Sequence, residues 1–121
     1  MRIVHGRADG RASERRATVT GDVWFDQVLP ATDGTTIATV FFAPGARTFW
    51  HSHENGQILQ VLSGRGLICP DGETPQPIQA GDTVWVPPGE RHWHGAAPDS
   101  FMSHTAISLG ETRWAEEVTG D

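Results

Sequence analysis

Cysteine is almost absent. The 121-residue chain holds one, Cys69, so no disulfide can form within it, and the expected setting is a reducing, cytoplasmic one. The strand-like context of that residue, GLICP, marks it for packing rather than thiol chemistry. An excess of positive charge is also missing. Nine basic residues face fifteen acidic ones for a formal charge of −6, which excludes a general nucleic-acid or anionic-membrane partner. The one basic cluster, GRADGRASERRA, reads as a solvated arm. No apolar run reaches the length of a membrane span, and the N-terminus lacks the apolar core of a secretory leader. No helical period lasts three turns, which argues against a helical domain.

Turn-formers are plentiful, with 14 Gly and 8 Pro. Between them lie short runs rich in Val, Ile, Thr, Phe and Trp: VWFDQVL, TTIATVFFA, TFWHSH, DTVWVPP, RHWHGAA and FMSHTAISL. GQILQVLSG and RGLICP read as the two arms of a hairpin turning at Ser63-Gly64. TRWAEEV suits a short helix as well as a strand. Eight or more short strands in one domain of this length predict an all-β sandwich or barrel. The expected organisation is an arm over residues 1–17, with one strand at Met1–His5, and a barrel over 18–121. Phe41, Phe42, Phe49 and Val86 read as core; the five tryptophans read as core or as a dimer interface.

Four of the six histidines form two His-x-His pairs, His51/His53 and His92/His94, each shortly after a Pro-Gly turn. On a strand, residues i and i+2 face the same side, about 6–7 Å apart at Cα. Each pair can therefore converge on one point, and imidazole nitrogen is the commonest protein ligand for divalent transition metals. Gln57 can join His51 and His53 if ENG turns and QILQVL runs back beside them. Glu54 lies near enough to be a second choice of acid. Asp82, Glu90 and Arg91 read as turn residues.

These spacings resemble the cupin family. The first cupin motif places Gly, His-x-His, a carboxylate and Gly where this chain has Gly45, His51, His53, Gln57 and Gly64. The second matches Gly81, Pro87, Gly89 and His92, with Ala96 in place of an Asn. The resemblance spans about residues 35–110. It implies a double-stranded β-helix, a small jelly-roll-like barrel, with His51, His53, Gln57 and His92 as metal ligands. Within the family, PGARTFWHSH, GDTVWVPPGERHWHGAAP and MSHTAI resemble small bacterial cupins that include manganese-dependent hydroxynitrile lyases, which share the glutamine ligand. That likeness implies functional roles for Thr48, His94 and His104 and a pocket bordered by Ala38 and Val40.

Glutamine in place of glutamate leaves a bound divalent ion with its full +2 charge. The ion is then a stronger Lewis acid and prefers the M(II) state. Four protein ligands plus water positions favour manganese; iron, nickel, cobalt and zinc all suit the donor types. The leading expectation is a lyase acting on a small, aromatic substrate such as a cyanohydrin. An iron or nickel dioxygenase and a non-catalytic small-ligand-binding module are the alternatives. A homodimer is expected, through sheet edges and the N-terminal segment.

Overall fold

The computed structural model describes residues 1–7 and 13–119. Among these the regular structure is entirely strand: β1 (Val19–Thr20), β2 (Val23–Thr32), β3 (Thr35–Phe42), β4 (Arg47–Thr48), β5 (His51–His53), β6 (Gln57–Pro70), β7 (Gln76–Gln79), β8 (Thr83–Val86), β9 (His92–Ala96), β10 (Met102–Leu109) and β11 (Thr112–Trp114). Every pairing is antiparallel. No helix among the described residues is long and apolar enough to cross a membrane.

Two faces are joined by one long strand. The first is ordered β2-β3-β10-β6-β8. The second contains β1, β4, β9 and the far half of β6, with β7 on β6, β5 on β9 and β11 on β5. Period-2 alternation decides what lies between them. Phe42, Val40 and the half-buried Ala38 of β3, Leu59 and Val61 of β6, and Met102 and Ala106 of β10 point inward. Phe42 and Leu59 are fully buried, and burying a side chain of that size contributes about 1.5–3 kcal/mol. This apolar plug fills one end of a nearly closed barrel and leaves the other to the polar residues described below.

The structure corrects three readings of the sequence and settles a fourth that was open. Ser63-Gly64 does not turn a hairpin, because β6 continues unbroken to Pro70. Gly64 has φ +74°, and a Cβ there would fall 1.9 Å from the Phe101 carbonyl oxygen. The glycine lets β10 cross close to a bulge, where β6 pairs Ser63 with Ser103 and Val61 with His104 and leaves Leu62 over. Met1–His5 forms no strand. Instead Glu14 bridges Phe25 through two 2.8 Å backbone hydrogen bonds, laying the end of the arm along β2; residues 8–12 of the basic cluster lie outside the described residues. Phe41 is exposed, since it takes the outward phase of β3 between Val40 and Phe42. TRWAEEV contributes a three-residue strand rather than a helix, because Thr112–Trp114 pairs with β5. Cys69 is buried beside Trp93 and Val118, and burial raises its thiol pKa, in keeping with a packing role.

Candidate metal centre and cavity

β5 and β9 lie side by side with His51 opposite His92. His51 and His53 are buried while Ser52 between them is not, as period 2 requires. Candidate ligand atoms of His51, His53 and His92 all lie within 4.8 Å of one another. Gln57 arrives by a different route from the expected one. β6 does not pair with β5; the turn after His53 carries the chain to the other face, so Gln57 approaches across the barrel. Gly56 makes that passage possible, with φ +99° and Trp85 too close to admit a Cβ.

The hydrogen bonds around this cluster specify its tautomers. His51 Nδ1 is 2.8 Å from the Phe49 carbonyl and His92 Nδ1 is 2.9 Å from the Glu90 carbonyl. A carbonyl only accepts, so both Nδ1 atoms carry the proton and both Nε2 atoms present a lone pair. His53 Nδ1 is 3.0 Å from Thr112 Oγ1, and its Nε2 is buried without a partner. Gln57 Nε2 donates to Ser108 Oγ at 3.1 Å, which turns Oε1 toward His92 Nε2 at 3.2 Å. Two acceptors thus face each other beside a third lone pair that nothing satisfies. A cation is the group that resolves such an arrangement, so the residues present fit a divalent metal held by His51, His53, His92 and the Gln57 carbonyl oxygen.

Burial keeps these rings neutral. It pushes His53 down to about 4, helped by the neighbouring His92, and holds His51 well below the ordinary histidine value; His92 is lowered for the same reason. Neutral imidazole is the form that ligates metal.

His94 and His104 form a second unit. His104 Nε2 and His94 Nδ1 are 3.0 Å apart and share one proton. Each ring keeps one buried nitrogen with no partner, His94 Nε2 and His104 Nδ1. Burial pushes His104 down to about 4 and His94 well below its ordinary value, and the neighbouring His104 adds to the lowering of His94. The Thr48 hydroxyl accepts the His94 backbone N–H at 3.2 Å and so ties β4 to β9 at this point.

A cavity of about 230 Å³ opens between the two faces. His51, His53, Gln57, His94, His104, Thr48, Ala38 and Val40 all line it. His92 reaches the cluster through Nε2 but borders a separate cleft with Ile68 and Trp85. Glu54, the second choice of acid, is exposed and accepts the Glu111 backbone N–H instead. Asp82 accepts the Gln79 backbone N–H within its turn. Arg91 pairs with Asp71 and Glu116, fastening the C-terminal segment rather than only tipping a turn.

Sequence reading missed Ser108, Thr112 and Arg16, all of which line the cavity. Ser108 carried a usable signal, since it lies two strand periods beyond His104 and must share its face. Thr112 and Arg16 sit in segments too short or too polar to show a period.

Comparison with known proteins agrees with this geometry. The cupin domain model matches residues 38–105. An (R)-mandelonitrile lyase from Granulicella tundricola is 44% identical over 108 residues, covering 84% of this chain and 82% of that protein. Among solved structures, a cupin-like protein from Thermotoga maritima superposes with a TM-score of 0.84 at 36% identity, covering 98% of this chain and 92% of the other. The polyketide cyclase RemF from Streptomyces resistomycificus shares the fold, with a TM-score of 0.76 at 19% identity over 100% of this chain and 87% of its own. Motif spacing, barrel topology and these relatives lead to one assignment: the chain belongs to the cupin family, as a small member related to the (R)-mandelonitrile lyase of Granulicella tundricola.

Proposed function

We propose that the protein is a metal-dependent lyase that cleaves and forms small aromatic cyanohydrins such as (R)-mandelonitrile. The observation that carries this reading is the 44% identity to a lyase of that name over most of both chains. Three features of the site support it. The cavity, at about 230 Å³, is smaller than the roughly 300–1,000 Å³ typical of drug-sized ligands and suits a one-ring molecule. Phe25, Ala38, Val40 and Trp114 give it an apolar wall. The four uncharged ligands favour M(II), which suits non-redox chemistry better than oxygen activation.

Cleavage removes the hydroxyl proton and breaks the bond between the carbinol carbon and the nitrile carbon. The electron pair of that bond leaves on cyanide, the oxygen closes to a carbonyl, and cyanide takes up a proton to depart as HCN. When bound, a divalent ion, manganese in the leading assignment, supplies Lewis acidity at the substrate oxygen or the departing cyanide.

The protein's own groups handle the proton. His94 Nε2 is neutral and unpartnered and accepts it from the hydroxyl. His94 Nδ1–H then donates to His104 Nε2, which stabilises the imidazolium as it forms. The same proton passes from His94 Nε2 to cyanide, returning the pair to neutrality. Thr48 holds His94 in place through its backbone and keeps a hydroxyl proton to orient the substrate. Ala38 and Val40 leave room for the ring.

The test is benzaldehyde release from racemic mandelonitrile by manganese-loaded protein. Clear turnover that is lost in His53→Ala supports the reading. A wild-type rate no higher than that of His53→Ala removes it.

A further inference from the structure

Arg16 takes no part in the proton steps above, yet it borders the cavity. It belongs to the basic arm, which Glu14 fastens to β2. Its guanidinium carbon lies 4.6 Å from the centroid of the Phe25 ring, itself a wall of the cavity. Neighbouring cations of the arm are paired: Arg15 with Asp22 at 2.5 Å and Arg7 with Asp26 at 3.2 Å. Arg16 makes no ion pair among the described residues, and it is exposed where the histidines are buried. It therefore stands at the mouth of the cavity.

The charge inside the cavity is the reverse of the charge of the chain. The protein as a whole carries −6, but among the described residues that line the cavity none is Asp or Glu, and Arg16 is the only arginine. A neutral ligand would leave that charge unanswered, whereas an anion would find it unopposed. Contact with the Phe25 ring restrains the side chain, and a guanidinium offers its N–H donors as a fork to a planar, two-oxygen acceptor. Carboxylate is the group that matches such a fork.

We propose that Arg16 is a specificity residue that receives a carboxylate on the ring of the substrate, at the end remote from the reacting carbon. The preferred substrates are then small aromatic acids, such as carboxyl-substituted aryl aldehydes and their cyanohydrins. The choice of reacting group rests on the lyase reading; the carboxylate site does not.

Binding of 4-formylbenzoate and of its neutral isostere 4-formylbenzamide to metal-loaded protein tests the assignment. Calorimetry and quenching of tryptophan fluorescence, to which Trp114 in the cavity wall contributes, are the readouts. A charge-assisted contact predicts about tenfold tighter binding of the carboxylate, weakening as salt is raised. Arg16→Met should bring the two affinities together. Equal binding in the wild type overturns the assignment. So does a preference that survives in Arg16→Met, because it would place the anion on the metal centre. Mandelonitrile cleavage, scored separately on the same preparation, keeps the two readings apart. Cleavage without carboxylate preference overturns the role of Arg16 alone, whereas an Arg16-dependent preference without cleavage upholds that role and removes the lyase.

Discussion

Acid should unfold the metal-stripped protein well before its carboxylates are protonated. His53 and His104 are each held at about 4 in the folded chain, against about 6.5 when unfolded. Between those values the unfolded state binds more protons, so stability is full above about pH 6.5 and is lost as pH falls toward 4. For one such group the loss at about pH 5 works out to about 2 kcal/mol. Two groups amount to a substantial share of the roughly 5–15 kcal/mol that holds a domain together. His51, His92 and His94 are displaced in the same direction and add to the loss. The assay is urea unfolding of chelator-treated protein followed by tryptophan fluorescence. With a slope of about 1–3 kcal/mol per molar urea, the midpoint should fall by at least ~1 M between about pH 7.5 and 5. His104→Asn should narrow that gap by about 2 kcal/mol, although the variant is less stable at neutral pH. An unchanged midpoint would show that the rings are hydrated or already charged, and the neutral-cluster reasoning would fail.

Three further outcomes follow from the contacts around the site. Ser108→Ala removes the acceptor that turns the Gln57 carbonyl oxygen toward His92, and should weaken manganese binding by about 10–100-fold in a competition titration; unchanged affinity would mean the amide needs no guide. Gln57→Glu supplies a negative charge and should tighten metal binding while lowering the mandelonitrile rate, each by roughly tenfold, because the charge offsets the Lewis acidity of the ion; a faster enzyme would contradict the argument from ligand charge. Trp24, Phe41, Leu62 and Trp85 are exposed on the first face, and β2, β3, β8 and β10 carry no lysine or arginine. A second copy of the chain covering these exposed apolar side chains should give twice the 13.2 kDa chain mass in sedimentation, and Phe41→Asp should return the monomer; a monomeric wild type would remove the dimer.

How much was legible in the sequence depended on whether a residue's role was local. Period 2 alone places His51 with His53 and, on its own strand, His92 with His94, and the structure buries all four. The same rule applied to β10 leads from His104 to Ser108. Relationships between strands were harder. Ser63-Gly64 has the composition of a turn, but the left-handed glycine serves a bulge and close passage of Phe101. Gln57 was placed beside His51 by sequence proximity, whereas the Gly56 turn sends it to the opposite face. Phe41 looked like core because its phase relative to Phe42 is invisible until the buried side of the strand is known. Thr112 orients His53 across 59 positions of sequence, a separation no local pattern reveals. Arg16 was hidden within a polar arm whose docking, through the Glu14–Phe25 bridge and the pairs of Arg7 with Asp26 and Arg15 with Asp22, no local pattern reveals.

The most direct measurement is the metal content of protein purified without added metal, compared between the wild type and a His51→Ala/His53→Ala variant whose circular dichroism shows the barrel intact. The account predicts close to one divalent ion per chain in the first and almost none in the second. A folded wild type that neither carries nor takes up a stoichiometric ion, or a variant that retains it, would contradict the proposal that these histidines and Gln57 surround a cation.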